Sequence, residues 1–126
     1  MRALRVPATA IGVVLVAALL AACSTGGVGE RVVGTWGDGT GAAEPHLVFS
    51  DDGRVTGSDG CNSLSGSWRA EDDSVAVFDV AGTLMACPDV DTWLRGVAEV
   101  ALSDDGERLI VTDDAGTRIG TLDRDE

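Results

Sequence analysis

The sequence predicts a mostly β domain of the α+β class: an antiparallel sheet of about seven short strands, curled toward a small barrel, with one helix before the last strands. Three observations carry this expectation. Short segments rich in Val, Ile, Thr and aromatic residues recur along the chain, acidic and glycine turns separate them, and a single stretch repeats its apolar residues at helical spacing.

Taken in order, "RVVGTW" (31–36) opens the folded part, and "HLVFS" (46–50) and "GRVTG" (53–57) follow as strands. "SDDGR" between them reads as a hairpin connection, because Asp side chains bond nearby backbone and Gly supplies the positive φ that the turn requires. "NSLSGSW" (62–68) alternates: Leu64, Gly66 and Trp68 share one face, and Ser63, Ser65 and Ser67 take the other. Leu47 and Phe49 share a face in the same way, the pattern of a sheet with one wet side. "SVAVFDV" (74–80) follows the acidic turn "EDDS". The period then changes. Val90, Trp93, Leu94, Val97 and Ala101 recur at helical spacing, with Pro88 in the first turn and Asp89 and Asp91 near the positive helix start, so a helix is expected over about 88–101. "SDDGE" ends it, and "RLIVTD" (108–113) and "TRIGTL" (117–122), joined by "DDAGT", complete the sheet. None of these Asp pairs has the spacing that surrounds a calcium ion with oxygens. Trp36, Trp68, Trp93, Phe49 and Phe78 are expected to fill the interior rather than to cage a ligand.

The first 22 residues do not belong to this domain. Arg2 and Arg5 precede an apolar run over 11–22, broken only by Gly12, which is the charge and hydropathy pattern of an export signal. A membrane span wants about 20 apolar residues, so this run is short for one. It stops at "LAAC" (20–23), which resembles the lipobox of bacterial lipoproteins. The resemblance implies that Cys23 is alkylated by diacylglycerol and becomes the first residue of the mature chain, acylated at its new N-terminus. One acyl chain binds a membrane marginally, at about 0.8 kcal/mol per methylene, whereas two or three hold stably. Residues 23–30, "CSTGGVGE", then read as a flexible tether, and 31–126 as the domain. The expected location is the outer face of a bacterial membrane.

Charge narrows the partners. The whole chain carries a formal charge of -12, and removing residues 1–22 with their two arginines leaves seven Arg against 21 acids, or -14 on 104 residues. Such a surface repels nucleic-acid phosphates and anionic lipid heads, so the membrane is engaged through the lipid anchor alone. The acids are spread among turns, as a solvated surface would have them.

The ordered set "VVGTW", "PHLVF", "GRVTGSDGCNSLSG", "GTLMACPD" and "LIVTDDAG" resembles the META domain, or HslJ-like, family of small bacterial envelope lipoproteins. The resemblance covers about residues 31–122, and its most specific parts are Gly60, Cys61 and Asn62 and, later, Met85, Ala86, Cys87 and Pro88. It implies a compact β domain, lipocalin-like in outline, associated with envelope stress, with no enzymatic reaction and no cofactor. One departure is Gly82 before Thr83, where the family often has a second Thr; it bears on the role of that threonine and leaves the expected fold intact.

Cys61 and Cys87 are the two thiols left once Cys23 is alkylated, and an exported chain matures in an oxidising space. A disulfide between them is the simplest account. It would close a loop of about 26 residues and stabilise the fold by roughly 3 kcal/mol on the chain-entropy model. It requires the two Cβ atoms to come within bonding distance, which spacing along the chain does not fix. The competing uses of Cys61 are a nucleophile and a metal ligand. A nucleophile wants a positioned base, and the one histidine, His46, sits in a strand where it is expected to face solvent. Zinc wants four ligands, and Cys61, Cys87 and His46 make three.

Two functional readings follow. The first is a lipid-anchored, non-catalytic module that binds an envelope protein or exposed ligand through Asn62, Ser63, Ser65, Ser67 and Trp68. The second is a carrier that holds a small hydrophobic ligand in the barrel mouth.

Overall fold

The computed structural model describes residues 27–125. The signal segment and the lipidation expected at Cys23 lie outside them. Eight strands follow one another: β1 (Gly34–Gly37), β2 (His46–Phe49), β3 (Arg54–Ser58), β4 (Ser63–Ala70), β5 (Val75–Gly82), β6 (Glu99–Leu102), β7 (Arg108–Thr112) and β8 (Arg118–Asp123). They form one meander, every neighbour antiparallel. A short helix, α1 (Val28–Val32), precedes β1.

The curled sheet nearly closes where its first and last strands meet. Trp36 bridges Arg124, and the Asp125 N–H donates to the Thr35 carbonyl at 3.0 Å. The Arg124 guanidinium lies over the Trp36 ring, 4.1 Å from its centroid, and donates to the carbonyls of Arg31 and Gly106. Trp36 in turn donates its indole N–H to the Val32 carbonyl at 2.9 Å. This arrangement fastens α1 to the sheet, with Val28 and Val32 buried in the common core. Val28, Gly29 and Glu30, expected in the tether, are instead part of α1, because Val28 and Val32, one helical turn apart, both have apolar surface to bury.

The Asp turns bond as their chemistry dictates. Asp52 Oδ1 accepts from the Arg54 N–H, Asp105 Oδ1 from Glu107, and Asp113 Oδ1 from Ala115 and Thr117. "SDDGE" thus joins two strands, β6 and β7, rather than a helix and a strand.

The helical segment before the last strands is much shorter than expected. It is a single 3-10 turn, Trp93–Gly96, and Glu99–Leu102 is β6, a strand beyond the seven expected. Asp89 takes φ +68, outside the right-handed helical region, and the Val90 N–H closes a turn onto Cys87. Beyond Gly96, Val100 is buried between Val75 of β5 and Val111 of β7, so pairing on both sides decides the conformation over a spacing that fits either period. Trp93 lies flat on β8 at Gly120, where an added Cβ would come within 2.5–2.7 Å of its ring.

Trp36 and Phe49 are fully buried, and Trp68 is half-buried, edge-on to Phe49, with its indole N–H on the Ser50 carbonyl at 2.8 Å. Phe78 is not a core residue. Val75 and Val77 take the inner face, so alternation turns Phe78 outward, 37% exposed, beneath the Arg69 guanidinium. A bulge follows: Ser67 pairs Phe78 but Ser65 pairs Ala81, so β5 carries an extra residue, with Asp79 at φ +56. The bulge returns Val80 to the core.

Candidate functional site

The two most specific sequence motifs meet at one end of the sheet, where the β3–β4 turn touches the loop over 83–92. Cys61 and Cys87 are disulfide-bonded, with Cα atoms 5.9 Å apart. Neither sulfur is then available as a thiolate nucleophile or a zinc ligand. His46 is buried rather than solvent-facing, and its Nδ1, 2.8 Å from the Glu44 carbonyl oxygen, is assigned as a donor to it. Among the described residues, no group of three or more His, Cys, Asp or Glu could hold a metal ion.

The turn is built on Asp59, which is fully buried. Its Oδ1 accepts from the N–H groups of Cys61 at 2.9 Å and Asn62 at 2.6 Å, and its own N–H donates to the Asn62 carbonyl. Among the described residues its Oδ2 has no hydrogen-bond partner; Arg95 Nη1 at 3.7 Å supplies charge compensation beyond hydrogen-bond reach. Gly60 takes φ +96, a conformation glycine adopts without a Cβ penalty, and its N–H donates to the Ser58 hydroxyl.

Asn62 points the other way, into the second loop. Its Oδ1 accepts from the Thr83 hydroxyl at 2.8 Å and from the Met85 N–H at 2.6 Å, while its Nδ2 donates to the Met85 carbonyl at 3.2 Å. One side chain thus satisfies both backbone groups of Met85, as a neighbouring strand would. Thr83 relays the clamp to β4 by accepting from the Ser63 N–H, which gives this threonine a role despite Gly82 beside it. Asn62 is only 3% exposed, so it is a clamp rather than part of a binding surface. Of the other strand residues expected to bind, Ser63 and Ser65 are exposed, while Ser67 and Trp68 are half-buried.

Fixed by these contacts, the second loop holds its apolar side chains in solvent. Leu84 is 87% and Met85 60% exposed, and Val90 follows across the turn at Cys87. Sequence reasoning passed over Asp59, Leu84 and Arg95. Asp59 had a readable signal, since an Asp two and three residues before the N–H groups it bonds is the spacing of an Asx turn.

Among the described residues, the apolar interior is closely packed. The cavity lined by Leu47, Val55, Leu64, Val77, Val80 and Val97 holds about 10 Å³, around the threshold for one water. A hollow of about 560 Å³ lies on the surface, open and rimmed by Asp72, Asp73, Glu99 and Asp104.

A family model described as META domain matches residues 29–126. The chain belongs to the META domain family. The match takes in every strand of the sheet and both halves of the disulfide. Neither a curated protein nor a solved structure matches the chain.

Proposed function

We propose that this META domain is a lipid-anchored, non-catalytic binding module on the outer face of a bacterial membrane, docking an envelope protein through the loop over 83–90 in a stress-protective role. The observation that carries the reading is the pairing of exposed Leu84 and Met85 with a backbone held by Asn62 and the disulfide. Burying each such side chain at an interface contributes about 1.5–3 kcal/mol, and a loop already ordered loses little entropy on docking.

The position of α1 supports docking away from the membrane. A Cβ on Gly29 would lie 3.2 Å from the Ala70 Cβ, at the β4–β5 hairpin, whereas the clamped loop leaves the opposite end of β5. Seven residues of strand separate those ends by roughly 23 Å. Five residues of tether from Cys23 to Val28 reach at most about 17 Å. Among the described residues no helix is long and apolar enough to cross a membrane. The carrier reading has less support, because among the described residues the apolar cavity between Leu47, Val55, Leu64 and Val97 is too small for a ligand.

The test is photo-crosslinking in a bacterium exporting the full chain, with the probe at Val90 and, as control, at exposed Asp73 on the β4–β5 hairpin. The expected result is an adduct with one identifiable envelope protein from position 90, absent from 73 and lost on Leu84→Asp. No adduct from position 90 would refute the docking reading. Acylation of Cys23, read by mass spectrometry of the N-terminal peptide, tests the anchor separately.

A further inference from the structure

We propose that Met85 is a site of reversible oxidation that switches the clamped loop from an apolar to a polar surface; as regulation, this rests on the docking reading above. The chain has two methionines, and the other is Met1 in the signal segment. Met85 is 60% exposed, and its backbone cannot retreat because Asn62 holds both its N–H and its carbonyl. Its sulfur chain therefore stays in solvent, beside the most exposed apolar side chain of the loop, Leu84. The neighbouring sulfurs of Cys61 and Cys87 are already bonded to each other and offer an oxidant no thiol. The thioether is the oxidisable group that remains at this surface.

The co-reactant is a two-electron oxidant of the hypochlorous acid class. The thioether sulfur attacks chlorine, hydroxide leaves, and water then adds to the chlorosulfonium as chloride and protons depart. The net change is R–S–CH3 plus HOCl to R–S(O)–CH3 plus HCl: sulfur loses two electrons and chlorine gains them. A methionine sulfoxide reductase reverses the step, two thiols supplying the electrons and leaving as a disulfide with water. The sulfoxide is a strong acceptor, which disfavours burial without a donor. The expected effect is about a tenfold weaker docking, equivalent to about 1.4 kcal/mol.

The experiment uses membranes carrying the full chain with the photo-crosslinking residue at position 90, treated with dilute hypochlorous acid. Peptide mass spectrometry reads the oxygen gained at Met85, against the same chain denatured. The expected result is oxidation within about twofold of the denatured rate, an adduct yield that falls as docking weakens about tenfold, and return of the thioether and of the adduct on treatment with the reductase and a dithiol. In Met85→Leu the adduct should survive the oxidant. Protection of Met85 by more than about tenfold, or an adduct undiminished when Met85 is fully oxidised, would overturn the proposal. Met85 oxidised reversibly with no adduct before or after would refute the docking reading instead, and the oxidation site would stand on the mass measurement.

Discussion

Replacing Asn62 tests the clamp most directly. Asn62→Ala removes three hydrogen bonds: one with the Thr83 hydroxyl and two with the Met85 backbone. Each contributes about 0.5–1.5 kcal/mol net, so the sum lies between about 1.5 and 4.5 kcal/mol. Met85 and Thr83 are at the surface, so water can replace part of what is lost; about 2 kcal/mol is the expected cost. With an m-value of about 1.5 kcal/mol per M in urea, the unfolding midpoint should fall by about 1.3 M while m stays constant. The disulfide remains intact in this variant, so the comparison isolates the amide. Asn62→Asp refines the test, since it keeps both acceptor contacts but turns a carboxylate toward the Met85 carbonyl. Once protonated, the new side chain donates there as the amide did, so folding raises its pKa above the unfolded value of about 3.9. Stability so gained is complete below the unfolded pKa and lost as pH rises through the folded one. The deficit relative to wild type should therefore shrink on acidification. A midpoint shift under about 0.3 M for Asn62→Ala, a loss below about 0.5 kcal/mol, would refute the clamp.

Three further outcomes are expected. Unfolding the oxidised protein without reductant should release no free thiol from Cys61 or Cys87, and the Cys61→Ser, Cys87→Ser double variant should lose roughly 3 kcal/mol in urea titration. Arg124→Ala should lower stability by about 2–4 kcal/mol through lost charged hydrogen bonds and the contact with Trp36, and Arg124→Lys should recover less than half, lacking the planar fork; both are read from thermal unfolding. Asp105 should titrate below the ordinary aspartate value, held there by the Glu107 N–H and then the Ser103 hydroxyl; its small contribution is present above the unfolded pKa and lost as pH falls through the folded one, so carboxyl NMR should show the shift and Ser103→Ala should reduce it.

Much of the sheet was legible because its strands announce themselves twice, by composition and by the turns between them. The Asp–Gly connections at 50–54 and 113–117 set the β2–β3 and β7–β8 hairpins locally, and local chemistry is what a sequence displays best. Glu99–Leu102 was not legible for the opposite reason. Val97, Val100 and Ala101 fit a helical stripe and a short strand alike, and only the distant partners Val75 and Val111 decide between them. Phe78 was misread because an aromatic residue suggests a core, whereas its parity with Val75 and Val77 sends it outward. At the site, the cysteines were readable as a pair. The role of Asn62 was not, since its partners lie more than 20 residues away in a loop with no regular structure.

The loop over 83–92 is held by two devices that act on different states of the chain. On the entropic account the disulfide restricts the unfolded chain, whereas Asn62 and Asp59 bond only in the folded one. A staple alone would leave residues 83–86 free to fold their apolar side chains back against the barrel; an amide alone would be lost whenever the loop frays. Acting together they fix a conformation in which Leu84 and Met85 cannot bury themselves on their own domain. Apolar side chains kept in water by half-buried hydrogen bonds lower solubility without helping the fold. That cost is offset only where another surface covers them, and this is the physical ground for proposing the loop, rather than the serine face of β4, as the docking surface.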